Sequence, residues 1–247
     1  MDHGIRAVWY DLPEDGRQDY LDWLHNAHLP LVQQQPGISW AAHYEITGGG
    51  AKLYEDHDVT EDIFQRPEED IGNGTDFLLL IGAGSPHLFF KPPFHEWELE
   101  ESGAKEMIGM RIGARPVVFT EEARVNGPEF DARAQSATPG PAIQMGNFRT
   151  RSVEDEFDLA AWYANYRFPA MAKMTGCINT RKLVSVAGWV KHSILYEFTS
   201  LEARAEGFDE HEALGLDNTV WTSKIVKYTI HAPGSPSVGR RIWPAVD

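Results

Sequence analysis

The stretch Asp19-Tyr-Leu-Asp-Trp-Leu-His-Asn-Ala-His-Leu-Pro-Leu-Val-Gln-Gln-Gln-Pro-Gly-Ile38 is written twice in this chain. Its second copy is Asp158-Leu-Ala-Ala-Trp-Tyr-Ala-Asn-Tyr-Arg-Phe-Pro-Ala-Met-Ala-Lys-Met-Thr-Gly-Cys177. Without a gap, Asp19 falls on Asp158, Trp23 on Trp162, Asn26 on Asn165, Pro30 on Pro169 and Gly37 on Gly176. An internal repeat of this kind calls for two copies of one supersecondary unit.

In the first copy Tyr20, Leu24, Ala27 and Leu31 recur at helical spacing, as Leu159, Trp162, Tyr163, Tyr166 and Ala170 do in the second. Each copy reads as an amphipathic helix. A proline inside a helix removes one backbone bond and crowds the carbonyl four residues earlier. That residue is Asn26 in one copy and Asn165 in the other, so both helices should change pitch at the same place. Both should stop at Gly37 and Gly176, where a left-handed cap is available to glycine. The copies differ in that His25 and His28 fall on Ala164 and Arg167, which favours the first repeat as the place for acid/base chemistry.

Strands are expected over Ile5–Tyr10, Ser39–Thr47, Asp76–Ile81 and Arg111–Arg124, with a second helix from Phe89–Trp97 through Glu106. Along Ser39–Thr47, Trp40, Ala42, Tyr44 and Ile46 share one face, with Ala41, His43 and Glu45 on the other. In the second copy strands are expected over 142–149, 178–186, 190–198 and 219–231, and helices over 155–174 and 201–214. The organisation is then a first repeat over 1–124 with an acidic insertion at about 48–75, a linker over 125–141, a second repeat over 142–231 and an extended tail over 232–247. The insertion reads as a lid or a decorated loop. The expected fold class is α+β: two tandem ferredoxin-like βαββαβ repeats, each with helices on one face of its sheet, packed sheet to sheet as an intramolecular α/β barrel.

Composition narrows the partners. Lys and Arg number 22 against 37 Asp and Glu, a formal net charge of -15, which disfavours nucleic acid and anionic lipid. The longest apolar run, Phe77–Ile81, is too short to span a bilayer. The lone Cys177 suits a reducing, cytoplasmic setting and reads as a small buried residue. No Walker-type loop, Gly-x-Ser-x-Gly elbow or Cys-x-x-Cys occurs.

The segment Trp23-Leu-His-Asn-Ala-His28-Leu-Pro30, followed by Pro36-Gly37 and the strand Trp40–Ile46, resembles the dimeric α/β-barrel superfamily. That group includes EthD-like proteins, muconolactone-type isomerases, polyketide and olivetolic acid cyclases, and haem-dependent or cofactor-free monooxygenases. There two single-repeat chains pair; here the pair looks fused, and a further homodimer is compatible with it. The resemblance implies a pocket between each sheet and its helices for a small hydrophobic ligand, and His28 matches the motif histidine.

The function expected is a cofactor-independent isomerase, lyase or cyclase acting on a small aromatic or lactone-like carbonyl compound. His28 is the candidate base, His43 or His95 its partner acid, and Tyr10 or Tyr44 the donor to an enolate oxygen. Trp9, Trp23, His25, Trp40, Phe90, Phe94 and Trp97 are candidate pocket residues beside Tyr44. The alternatives are a monooxygenase of the same superfamily and a non-catalytic binding protein. His25-x-x-His28 lacks a defined third ligand among Asp56, His57, His43, His95 and Glu96, so neither metal nor cofactor is assigned.

Overall fold

A computed structural model describes residues 2–49, 65–132, 138–209, 211 and 221–246. Strands β1 (Gly4–Asp11), β2 (Ile38–Gly49), β3 (Phe77–Ala83) and β4 (Ile112–Asn126) form the first repeat in the order β4-β1-β3-β2. Strands β5 (Ala142–Arg149), β6 (Cys177–Ala187), β7 (His192–Phe198) and β9 (Ser237–Trp243) form the second in the equivalent order β9-β5-β7-β6, with the two-residue β8 (Ile230–His231) set against β5. The repeats join where β4 pairs with β6 and β2 with β9. Eight antiparallel strands thereby close into one barrel, and closure removes the open sheet edges that each repeat would otherwise present.

Alternation along the strands divides the core in two. Ile5, Ala7, Trp9, Trp40, Ala42 and Tyr44 face the barrel interior, where Ile143, Met145, Leu183 and Leu195 of the second repeat meet them. Val8, Tyr10, Ala41, Leu79 and Ile81 face the helices of the first repeat. Trp40 lies opposite Gly82 in the register, and a Cβ on Gly82 would come within 2.1 Å of the indole. Gly82→Ala should therefore destabilise the barrel by about 1–3 kcal/mol through overpacking, read as a lower urea midpoint at unchanged slope.

The repeated helix is built as the two prolines require. Helix α1 (Arg17–Trp23) passes into a π-helical turn, Leu24–His28, and then α2 (Leu29–Gln33); α5 (Val153–Trp162) passes through the π turn Tyr163–Arg167 into α6 (Phe168–Met171). In each, the N–H of the residue before proline reaches the carbonyl five residues back, Leu29 to Leu24 and Phe168 to Tyr163. The wider turn keeps the proline ring clear of that backbone. Gly37 and Gly176 follow with φ of 87° and 82°.

The π turn also slips the apolar phase by one residue. After Leu24 the buried positions are His28, Leu29 and Val32 rather than Ala27 and Leu31, and Leu31 is exposed. In the second copy Arg167 and Met171 are buried where Tyr166 and Ala170 were expected.

Two further expectations are corrected. The region after Phe89 is not one helix: a 3₁₀ turn (Pro86–Phe89) leads to α3 (Phe94–Trp97) and, separately, α4 (Ala104–Gly109). Within 219–231, helix α7 (Trp221–Tyr228) stands where a strand was expected, and of the described residues there only Ile230–His231 are extended. Asp158 of α5 accepts from the Trp221 indole at 3.2 Å and the Tyr228 hydroxyl at 3.1 Å, and pairs with Lys224. These partners share one side only in a helix. The outer strand of the second repeat is supplied instead by the tail, in β9.

The barrel end is tied by ions from both repeats. Arg181 bonds Asp2 at 3.0 Å and Glu121 at 2.7 Å, Arg124 bonds the same two carboxylates, and the Trp40 indole donates to Asp2. Residues 65–74 run beside this barrel, with Ile71 against its interior cluster and Glu69 accepting from Trp189. Residues 50–64, which hold most of the expected lid, lie outside the described residues.

Candidate active site

Between the first sheet and its helices lies a cavity of about 480 Å³, within the range of small-molecule sites. Its walls are largely apolar: Val8 from β1, Phe89, Phe90 and Phe94 from the α3 approach, Ile108 from α4, and Val117 and Val118 from β4. Three charged side chains interrupt them. Arg6 comes from β1, Glu98 from the end of α3, and Arg111 from the residue before β4.

Arg6 is 6% and Glu98 5% exposed, and they are joined by an ion pair between Arg6 Nη2 and Glu98 Oε1. Arg6 also lies over the Phe94 ring at 5.0 Å. Arg111 donates from Nε to the Tyr20 hydroxyl at 2.7 Å and sits 5.0 Å above the Tyr10 ring. Of the polar atoms on these three side chains, Arg6 Nη1, Glu98 Oε2 and Arg111 Nη2 are buried without a partner among the described residues. Buried groups of this kind normally find hydrogen bonds, and here they belong to residues that line one cavity.

Glu98 also lines a neighbouring space of about 270 Å³ together with His28, Leu31, Trp97 and Glu101. His28, 1% exposed, bonds Glu101 through Nδ1 at 3.0 Å and stacks on Trp23 at 4.7 Å between ring centroids. Burial lowers its pKa, against the pull of Glu101.

The π turn separates the two helical histidines. His25 reaches the sheet, where its Nε2 lies 2.8 Å from His43 Nδ1, and His43 Nε2 lies 2.8 Å from the Tyr10 hydroxyl. Burial, with His25 and Arg111 nearby, puts the His43 pKa well below the ordinary value, and burial raises Tyr10. Both are therefore neutral at neutral pH. Tyr10, His43 and His25 thus form one hydrogen-bonded chain from the sheet to the helix. This chain runs beneath Arg111 without lining the cavity.

Of the expected residues, the fold brings Tyr10, His25 and His43 together, places Phe90 and Phe94 on the cavity wall, and sets His28, Trp23 and Trp97 at the adjoining space. His95 lines the rim, but its side chain is 71% exposed and faces Glu96. Trp9, Trp40 and Tyr44 are on the opposite sheet face, inside the barrel, and Tyr44 donates to the Pro139 and Gly140 carbonyls. Arg6, Glu98 and Arg111 were not singled out from sequence. The only signal was Arg6 on a strand whose other residues are apolar.

Among the described residues no three His, Cys, Asp or Glu converge as a metal site. Among the described residues, the 480 Å³ cavity places no side chain to hold a haem iron: no buried imidazole lines it. The corresponding space in the second repeat is about 70 Å³, with Arg167 and Trp162 in its wall and the His231 Nε2 engaged by Thr229, a volume suited to water rather than a macrocycle.

Three buried imidazoles make a pH prediction. His43 is held well below its ordinary pKa, His192 is lowered to about 4 and His231 to about 3, each chiefly by burial. The unfolded chain takes up these protons near pH 6.5 while the folded chain stays neutral. Stability is therefore full above that pH and falls as pH drops from about 6.5 toward the folded values, by about 1.4 kcal/mol per unit for each site. Urea melts at pH 7.5 and 5 should show this, with a shallower slope for His231→Phe.

No protein-family model and no curated protein matches the chain. Solved structures share its architecture at low identity. A monooxygenase-like protein of Fusobacterium nucleatum aligns at TM-score 0.57 and 7% identity over 98% of this chain and 93% of that one. An anthrone oxidase-like protein aligns at 0.57 and 10% over 97% and 90%, and a dye-decolorizing protein of V. cholerae at 0.51 and 10% over 98% and 94%. The chain thus has the fold of the dimeric α+β barrels, carried here in one polypeptide.

Proposed function

We propose that the first repeat is a cofactor-free oxygenase site for a small enolisable aromatic ketone. The reading is carried by one observation: a largely apolar cavity with Arg6, Glu98 and Arg111 as its charged groups. Glu98 takes the acidic C–H proton on its unpartnered oxygen, Arg6 fixes that carboxylate, and Arg111 stabilises the enolate oxygen. The electron-rich carbanion then reacts with dioxygen, while the phenylalanine wall keeps water away. Glu98 takes the role that sequence alone assigned to His28. The names of two structural neighbours, monooxygenase-like and anthrone oxidase-like, support this class.

Anthrone is a suitable probe. With one dioxygen it gives anthraquinone and one water, so uptake and product should match one to one. Protein-dependent oxygen consumption that is lost in heat-treated samples is the expected result; no uptake with anthrone or its hydroxylated analogues would sink the oxygenase reading.

A second reading, an isomerase, lyase or cyclase, has its own support. His28, paired with Glu101, adjoins the far side of Glu98 and could return the proton to a different carbon. Anaerobic hydrogen exchange of a bound ketone in D₂O, without oxygen uptake under air, would select it. Binding with neither reaction would leave a carrier.

A further inference from the structure

We propose that the ligand of the 480 Å³ cavity enters as a monoanion: a flat apolar body carrying one anionic oxygen group, bound by Arg6 and Arg111. This deepens the reading of the cavity as a small-molecule site and rests on it. Two guanidiniums and one carboxylate line the space, leaving one positive charge in surroundings that are otherwise aromatic and aliphatic. The fourth titratable group, His95, is exposed at the rim and turned to Glu96. An uncompensated buried charge is costly, and this one stands in a chain of net charge -15, where a chance excess of cation has no general cause.

The donors are already fixed. One end of Arg6 is held by Glu98 and the Nε of Arg111 by Tyr20, so Arg6 Nη1 and Arg111 Nη2 are left buried without a partner among the described residues. Arg6, more than nine-tenths buried, lines the cavity itself. Burial lowers its pKa while Glu98 holds it up, so an anion against it would restore what burial takes away. Charge-assisted bonds to an oxygen anion are the strongest these two nitrogens can make. A carboxylate and an ionised phenol offer the same chemistry; the cavity walls ask only that the remainder be apolar.

The test is direct titration of the full chain, by quenching of its intrinsic fluorescence or by calorimetry, with 2-naphthoate, the neutral isostere 2-naphthamide and a nitrated 2-naphthol that is ionised at neutral pH. The expected result is that naphthoate binds about tenfold or more tighter than naphthamide, that Arg111→Gln removes this preference while naphthamide affinity is kept, and that Arg111→Lys recovers part of it. Tighter binding of the ionised naphthol than of naphthoate would assign the anion to a phenol; the reverse order would assign it to a carboxylate. Equal affinity for naphthoate and naphthamide, or a preference that survives in folded Arg111→Gln, overturns the inference and leaves anthrone oxidation standing. Failure of all three compounds to bind removes the cavity reading and this inference with it.

Discussion

Arg181→Met should lose about 3–5 kcal/mol of stability, the cost of breaking a fully buried ion pair from one side. Arg181 has no exposed surface and bridges Asp2 and Glu121, so the variant removes one of the two guanidiniums that hold these carboxylates at the barrel end. Guanidinium melts at pH 7 should show the loss. Acid adds a check of sign. Burial alone would raise the Asp2 carboxyl, but Arg181, then the Trp40 indole and Arg124, hold it far below its ordinary value. Its contribution is therefore complete above the unfolded pKa near 3.8 and is lost as pH falls below that. The variant should be flatter than wild type below pH 4. A midpoint within experimental error of wild type would show that the cluster is solvated and dispensable.

Glu98→Gln is expected to reduce anthrone-dependent oxygen uptake by about 10²- to 10⁴-fold, the usual worth of a positioned general base. The amide keeps the shape of the side chain and an acceptor for Arg6 but cannot take a proton. Because Arg6 then lacks its counter-charge, a partial loss of stability accompanies the change, and activity is compared only at temperatures where circular dichroism shows a native spectrum. Retained turnover in a folded variant would move the base elsewhere, with His28 next in line. The companion His28→Phe should lower stability and affect uptake far less, whereas it should abolish exchange if the isomerase reading holds.

The repeat in the sequence made the architecture legible, because Pro30 and Pro169 with their aligned glycines mark one element twice. The widened turn was legible as a change of pitch, but its effect on phase was not. Periodicity assumes a constant angle per residue, and one extra residue in the turn turned Leu31 outward and His28 inward. The same slip sent His25 and His28 to different partners, which spacing on a regular helix would not suggest. Arg6 and Glu98 were hidden for another reason. Charged residues read as solvent-facing, and Glu98 stands in a row with Glu96, Glu100 and Glu101; only the fold shows that one of the four is buried against an arginine. In Trp221–Tyr228 the β-branched composition pointed to a strand, and the Asp158 clamp decided for a helix.

Closing the ring with β9 has a consequence for how the chain is made. Ile46 pairs with Gly239, and the same short strand pairs Ile143 with Gly239 from the other side. During synthesis the free edges of β2 and β5 therefore wait for Ser237–Trp243 to leave the ribosome, long after the first sheet could have formed. Waiting edges are where strands pair with the wrong neighbour, so nascent chains stalled before Ser237 should be the aggregation-prone and protease-sensitive species. For the same reason, loss of β9 from the finished protein would open the barrel in both repeats at once.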